Sequence, residues 1–290
     1  MVASVRHQYA DVDGRRLFYR QAGSADAPAI VLLHGFPTSS FMFRELITRL
    51  SGEYHVIAPD HLGFGYSDAP SAAEFDYTFD ALAELTEGLL DQLGLTRYAI
   101  YVQDYGAPIG WRLALSRPES ISAIVTQNGN GYDDGFIESF WTTVWDYQRE
   151  QTAETEAAIR TALDAESVKW QYLTGVPDES LVSPDTWTLD NALLSRPGND
   201  EIQLRLFRDY ATNAPMYPAL HEYLRTSGVP VLAVWGKSDP IFGPDGARAF
   251  GRDARDAEIH LLDGGHFLLE TAVDEVADLI KDFLGRVSGR

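Results

Sequence analysis

Tyr98-Ala99-Ile100-Tyr101-Val102-Gln103-Asp104-Tyr105-Gly106-Ala107-Pro108 is the stretch on which the reading of this chain turns. Five apolar residues form a run of the kind buried on both faces of a parallel sheet. A sharp turn follows, then the helical spacing of Ile109 to Leu115. Pro108 fits a first helical turn, where its missing N–H costs little. Strand, tight turn and helix together make a nucleophile-elbow context, in which the central side chain stands above the sheet edge near the positive end of a helix dipole. The usual elbow has glycine on both sides and serine at its centre. Here Val102 replaces the first glycine, Gly106 and Ala107 keep the second side small, and the centre is Asp104.

Outward from this point the chain alternates. Gln8-Tyr9-Ala10-Asp11-Val12 and Arg16-Leu17-Phe18-Tyr19-Arg20 read as strands joined by Asp13-Gly14, a strong two-residue hairpin signal. Further strands are expected at 29–33, 54–58, 121–126, 229–235 and 257–262, with helices at 41–50 and 78–93, the latter capped by Thr78. Alternation of this kind implies an α/β fold with a mostly parallel central sheet and helices on both faces. From about 128 to 220 the rhythm fails. That segment is rich in Trp, Tyr, Asp, Glu and Thr, with helical patterns around 153–173 and 202–210 and no clear buried strand. The expected organisation is a core domain of residues 1–128 and 221–290, with a helical cap of residues 129–220 inserted after the sixth strand.

Composition narrows the function. The 290 residues carry 43 Asp and Glu against 23 Lys and Arg, a net charge of −20. Such a surface repels phosphate backbones and anionic membranes. The absence of cysteine removes disulfides, thiolate catalysis and thiolate metal sites together. No stretch approaches the roughly 18 apolar residues of a membrane span, and the N-terminal residues lack the apolar run of a signal peptide. A cytoplasmic location is expected, with no cofactor and no metal.

In order and spacing, the motifs resemble an α/β-hydrolase of the epoxide hydrolase and haloalkane dehalogenase branch, and epoxide hydrolases most. The resemblance rests on His34-Gly35-Phe36-Pro37, on Asp60-His61-Leu62-Gly63-Phe64-Gly65-Tyr66-Ser67-Asp68, on the Asp104 elbow, on Trp235-Gly236-Lys237-Ser238-Asp239 and on Gly264-Gly265-His266-Phe267. Chemistry gives Asp104 its meaning. A serine attacking a saturated carbon would leave an ether that water cannot readily cleave, whereas a carboxylate leaves an ester that a second, water-driven step can hydrolyse.

The resemblance assigns the remaining roles. His266 is the expected general base, and Asp239 the carboxylate that orients it and stabilises the imidazolium. Some relatives carry this acid one strand earlier, but that place here reads Gln127-Asn128-Gly129-Asn130. Backbone N–H groups of Phe36 and Tyr105 are the expected oxyanion donors, and a cis turn is expected at Phe36-Pro37. Two cap tyrosines, Tyr147 and Tyr210, are the expected proton donors to an epoxide oxygen, with Tyr172 and Tyr217 as substitutes. Trp141, Trp145, Trp170 and Trp187 either line an apolar pocket or pack the cap onto the core.

A haloalkane dehalogenase is the alternative. Thr38-Ser39-Ser40 suits it, but Tyr105 stands where a halide-binding tryptophan is usual, and Phe36 where one subgroup has asparagine. Another hydrolase with the same Asp-His-Asp triad, and a non-catalytic small-molecule binder, stay open. The expected partners are a small apolar epoxide-type substrate and water, with no nucleic acid, no membrane and a homodimer left open.

Overall fold

The computed structural model describes residues 4–287. Strands β1 (Arg6–Val12) and β2 (Arg15–Ala22) form the opening hairpin. Its turn residues Asp13 and Gly14 both have positive φ, 50° and 74°, the conformation that a two-residue hairpin matched to strand twist demands. Then come β3 (Ala29–Leu33), α1 (Arg44–Leu50), β4 (His55–Pro59), α2 (Phe79–Gln92), β5 (Tyr98–Val102), α3 (Gly106–Ser116) and β6 (Ile121–Gln127). The Thr78 hydroxyl accepts from Ala81 N at 3.1 Å and caps α2. The helix expected at 41–50 begins instead as a 3₁₀ turn, Ser40–Phe43, with Ser39 as its cap.

The eight strands form one sheet in the order β1-β2-β4-β3-β5-β6-β7-β8, where β7 is Val231–Gly236 and β8 is Glu258–Leu262. Pairings β1·β2 and β2·β4 are antiparallel, and the rest are parallel. Every residue of β4, β5 and β7 is buried, which explains their unbroken apolar runs. Chain order reverses between β3 and β5. Loops leaving the C-terminal ends of two such strands diverge and open a crevice, the usual place for a ligand in an open α/β sheet. Here the loops are 34–37 and the Asp104 turn.

Between β6 and β7 the chain forms α4 (Glu138–Arg149), α5 (Ala153–Arg160), α6 (Ala165–Leu173), α7 (Pro184–Leu194), α8 (Asn199–Asp209) and α9 (Tyr217–Ser227), with no strand among the described residues. The helical pattern expected over 153–173 is split by the 3₁₀ turn Thr161–Leu163 and by extended backbone at Asp164 (ψ 145°). The boundary expected at 220 falls inside α9, which packs on α3 and leads directly into β7. Polar contacts stitch the other inserted helices to the sheet's loops. Asn199 Nδ2 donates to Gly63 O at 2.7 Å, Arg196 donates to Gly65 O, and Asp209 accepts from Phe79 N at the start of α2. Helices α10 (Pro244–Ala249) and α11 (Leu269–Val287) complete the chain. Among the described residues no helix is long and apolar enough to cross a membrane.

Candidate active site

Asp104 sits between β5 and α3 at φ +48°, a left-handed conformation uncommon outside glycine and found at strained functional turns. Val102, where the elbow pattern has glycine, is accommodated from above: a Cβ on Gly110 would lie 2.4 Å from Val102 Cγ1. The small residue has moved one turn up the helix. On the facing loop, a Cβ on Gly35 would lie 2.4 Å from Asp104 Oδ1. Glycine there lets the loop reach the carboxylate, and the next peptide, Phe36-Pro37, is cis.

That approach brings Phe36 N to 2.6 Å from Asp104 Oδ1, and the Tyr105 N–H also bonds the carboxylate. Asp104 is buried, 6% exposed. Burial raises its pKa against the opposing pull of His266 and the two amides. Oδ1 is thus held by the Phe36 amide. The other, Oδ2, lies 3.9 Å from His266 Nε2, too far for a direct hydrogen bond.

His266 is fully buried on the loop between β8 and α11. Its Nδ1 lies 2.8 Å from Asp239 Oδ2, and Gln127 Nε2 donates to its backbone carbonyl at 3.0 Å. Burial pushes the imidazole pKa down, but Asp239 and Asp104 outweigh it and the net shift is upward. Asp239, on the loop after β7, accepts from Ile241 N and from Asn128 Nδ2, each at 2.7 Å. The carboxylate is thereby anchored on three sides and fixes the ring with Nδ1 protonated.

Asn128 was legible only as a place without a carboxylate. Held at φ +47° at the end of β6, it also accepts from Gly236 N at 2.9 Å and so ties β6 to the loop that presents Asp239. The signal available in sequence was an asparagine, the residue most tolerant of left-handed backbone after glycine, directly after a buried strand.

His34 and His61 form a separate buried pair with ring centroids 4.2 Å apart. His34 Nε2 accepts from His61 N, and His61 Nε2 donates to His34 O. Burial lowers the His34 pKa to about 4 despite the Gly35 carbonyl. Both rings stay neutral and clamp the 34–37 loop against the 60–65 loop.

Aromatic rings roof the carboxylate. Phe36 and Tyr105 pack with Phe207, and Tyr105 packs with Tyr210, which lies 4.7 Å from Trp141. Tyr210 is buried, and its pKa is raised first by that burial, then by Tyr217, Asp104 and Tyr105. The Tyr217 hydroxyl neighbours it without a well-aligned hydrogen bond. Tyr147 is also buried, on α4, but after burial the charges that weigh most on its phenol are Glu156, Glu201, Arg208 and Arg160 of the inserted helices. The Tyr172 hydroxyl donates to Asp190, and its ring stacks on Phe267 at 3.9 Å. Among the tryptophans, Trp141 joins the roof, while Trp170 is 42% exposed and stacks on Phe140. The three buried indoles, Trp111, Trp141 and Trp235, each donate to a backbone carbonyl.

Comparison with known proteins follows the same lines. A family model described as alpha/beta hydrolase fold matches residues 28–273. An uncharacterized hydrolase of Saccharomyces cerevisiae is 44% identical over 277 residues, covering 94% of this chain and 95% of its own. A haloalkane dehalogenase of Mesorhizobium japonicum is 28% identical over 282 residues, 93% of this chain and 88% of its own. The solved structure of the epoxide hydrolase CorEH superposes with a TM-score of 0.79 over 98% of this chain and all of its own, at 20% identity, a likeness of fold alone. The elbow, the order of the strands and a relative this similar along nearly its whole length agree: the chain belongs to the α/β-hydrolase family.

Proposed function

We propose that this hydrolase opens an epoxide to a vicinal diol through an aspartyl ester. The observation that carries the reading is the division of labour on one carboxylate. Asp104 Oδ1 accepts from the Phe36 amide, the Tyr105 amide also bonds the carboxylate, and Oδ2 faces His266 across 3.9 Å. That arrangement suits attack on a saturated carbon, then attack by water on the resulting ester.

In the first half-reaction Oδ2 attacks an epoxide carbon. The C–O bond breaks, and its electron pair goes to the ring oxygen, which takes a proton from a phenol. In the second, water attacks Cγ of Asp104 and gives a proton to His266 Nε2. The oxyanion forms on Oδ1, where the Phe36 amide already points, with the Tyr105 amide beside the carboxylate. Collapse expels the diol oxygen, which takes the proton from His266. The second water proton, left on the regenerated carboxyl, returns to the phenolate.

Tyr210 is the phenol we place opposite Asp104, with Tyr147 as second candidate. The helices from α4 to α8 act as a cap that keeps bulk water from the ester. A dehalogenase would instead need N–H donors for halide, and the buried indole N–H groups are all engaged by carbonyls. The test is diol formation from a reactive aryl epoxide, run beside halide release from a haloalkane panel. Tyr210→Phe is expected to slow epoxide opening by about 10²–10⁴, the usual worth of a general acid, and Tyr147→Phe much less. Full activity in Tyr210→Phe, or halide release without diol, would reject the assignment.

A further inference from the structure

The residue before the nucleophile has no part in the scheme above, yet it touches the base. Gln103 is fully buried at the exit of β5. Its Nε2 lies 2.9 Å from His266 Nε2, on the ring atom that must take the proton from water. Its Oε1 is buried and accepts no hydrogen bond.

The proton inventory makes this contact informative. With Nδ1–H donating to Asp239, a neutral His266 carries a lone pair on Nε2, so it is an acceptor there and the amide must present N–H. Once His266 has taken a proton it becomes a donor at both nitrogens. Amide N–H against ring N–H is then repulsive, and the only group of Gln103 that suits the imidazolium is the unpartnered Oε1. A half-turn of the amide exchanges the two atoms within nearly the same volume. One side chain therefore fits both protonation states of the base, which a rigid donor or acceptor could not do.

We propose that Gln103 is a positioning residue for the ester-hydrolysis half-reaction: its N–H holds the resting neutral His266 through the Nε2 lone pair, and the amide turns as water arrives, freeing that lone pair for the water proton and bringing Oε1 round to accept from the imidazolium. The proposal rests on the ester reading above. It acts on the step in which the O–C bond to Asp104 Cγ forms and the water proton moves to Nε2, and it leaves the earlier attack by Asp104 on carbon untouched. The titratable groups facing His266 are Asp239 and Asp104, on the β7 and β5 loops, and both are retained in the variants below.

Gln103→Leu keeps the bulk and removes both polar atoms. Rapid-quench measurement of the two half-reactions is expected to show ester formation within about twofold of wild type. Ester hydrolysis should fall about 10- to 100-fold, the worth of one hydrogen bond to a charged group, with ester accumulating in intact-protein mass spectra. Gln103→Glu places a carboxylate against Nε2, which favours the imidazolium, so the acid limb of hydrolysis should move to higher pH. A substrate-free measurement stands beside these. The ¹⁵N shifts of the His266 ring should report the Nδ1–H tautomer that Asp239 fixes in wild type and in both variants, with a displaced Nε2 shift in Gln103→Leu, where the amide N–H is lost, and a raised titration midpoint in Gln103→Glu. Equal loss in both half-reactions, or unchanged ring shifts in both variants, would overturn the role. If His266→Gln traps no ester at all, the ester reading fails instead, and the ring titration still judges Gln103.

Discussion

At the residue scale the site separates two acids by what surrounds them. Asp239 is wrapped in three donors and serves as a fixed charge, whereas Asp104 has one oxygen held and the other open to the roofed space. His266, whose pKa is raised by Asp239 and Asp104 over the opposing effect of burial, works only when neutral. With Asp104 esterified and uncharged, only Asp239 opposes burial at His266, so ester hydrolysis is expected to decline as pH falls through an imidazole midpoint below that of the free enzyme. Ester formation needs ionised Asp104, so it too declines on acidification, through a value above the usual aspartate range. Stopped-flow pH profiles of the separate steps would show both limbs, and His266→Gln should freeze the enzyme as an ester detectable by mass. Wild-type rates of ester hydrolysis in that variant would contradict the base assignment, and no ester at all would contradict the ester reading. Asp104 and His266 were legible in sequence because each follows a buried strand within a recognisable turn. Gln103 and Asn128 were not, since an amide shows its value only when its two ends meet named partners.

At the scale of elements, legibility followed periodicity. Strands such as Val231–Gly236 declare themselves by unbroken apolar runs, because helices or loops cover both faces. The inserted helices were visible only as helical composition, and the face each presents was not. Tyr147 shares the buried side of α4 with Trp141 and Val144, and six residues of helix set it about 9 Å along the axis from Trp141, the ring beside Tyr210. A second element-scale consequence lies where α6 and α7 meet the 38–40 loop. Asp190, 1% exposed, bonds Tyr172 and neighbours Thr38, and burial raises its pKa to about 8. Unfolded, it would ionise at the ordinary aspartate value of about 3.9. Between those values the unfolded chain has lost a proton that the folded one keeps, so this group makes stability fall as pH rises from about 4 to about 8. Asp190→Asn retains an acceptor for Tyr172 and cannot ionise. Its melting temperature should exceed that of wild type by a margin that widens toward pH 8. A constant difference across that range would show that Asp190 is not held neutral.

At the scale of the whole molecule, 43 acidic against 23 basic residues surround an aromatic-roofed site. A field of that sign slows the approach of anions and leaves neutral molecules alone, and salt screens it over a Debye length of about 8–10 Å. For a matched pair of epoxides, neutral and carboxylate-bearing, kcat/KM of the anionic one should rise with ionic strength while that of the neutral one stays flat. Parallel behaviour would mean that the surface charge does not reach the entrance. The long excursion between β6 and β7 bears on a different matter, the order in which the machine is built. Asp104 leaves the ribosome before the inserted helices, and Asp239 and His266 leave after them. On the proposed scheme a growing chain holds the acid that captures a molecule before it holds the base that releases it. The gene's linear order then works as an interlock, and turnover is the last property the protein acquires.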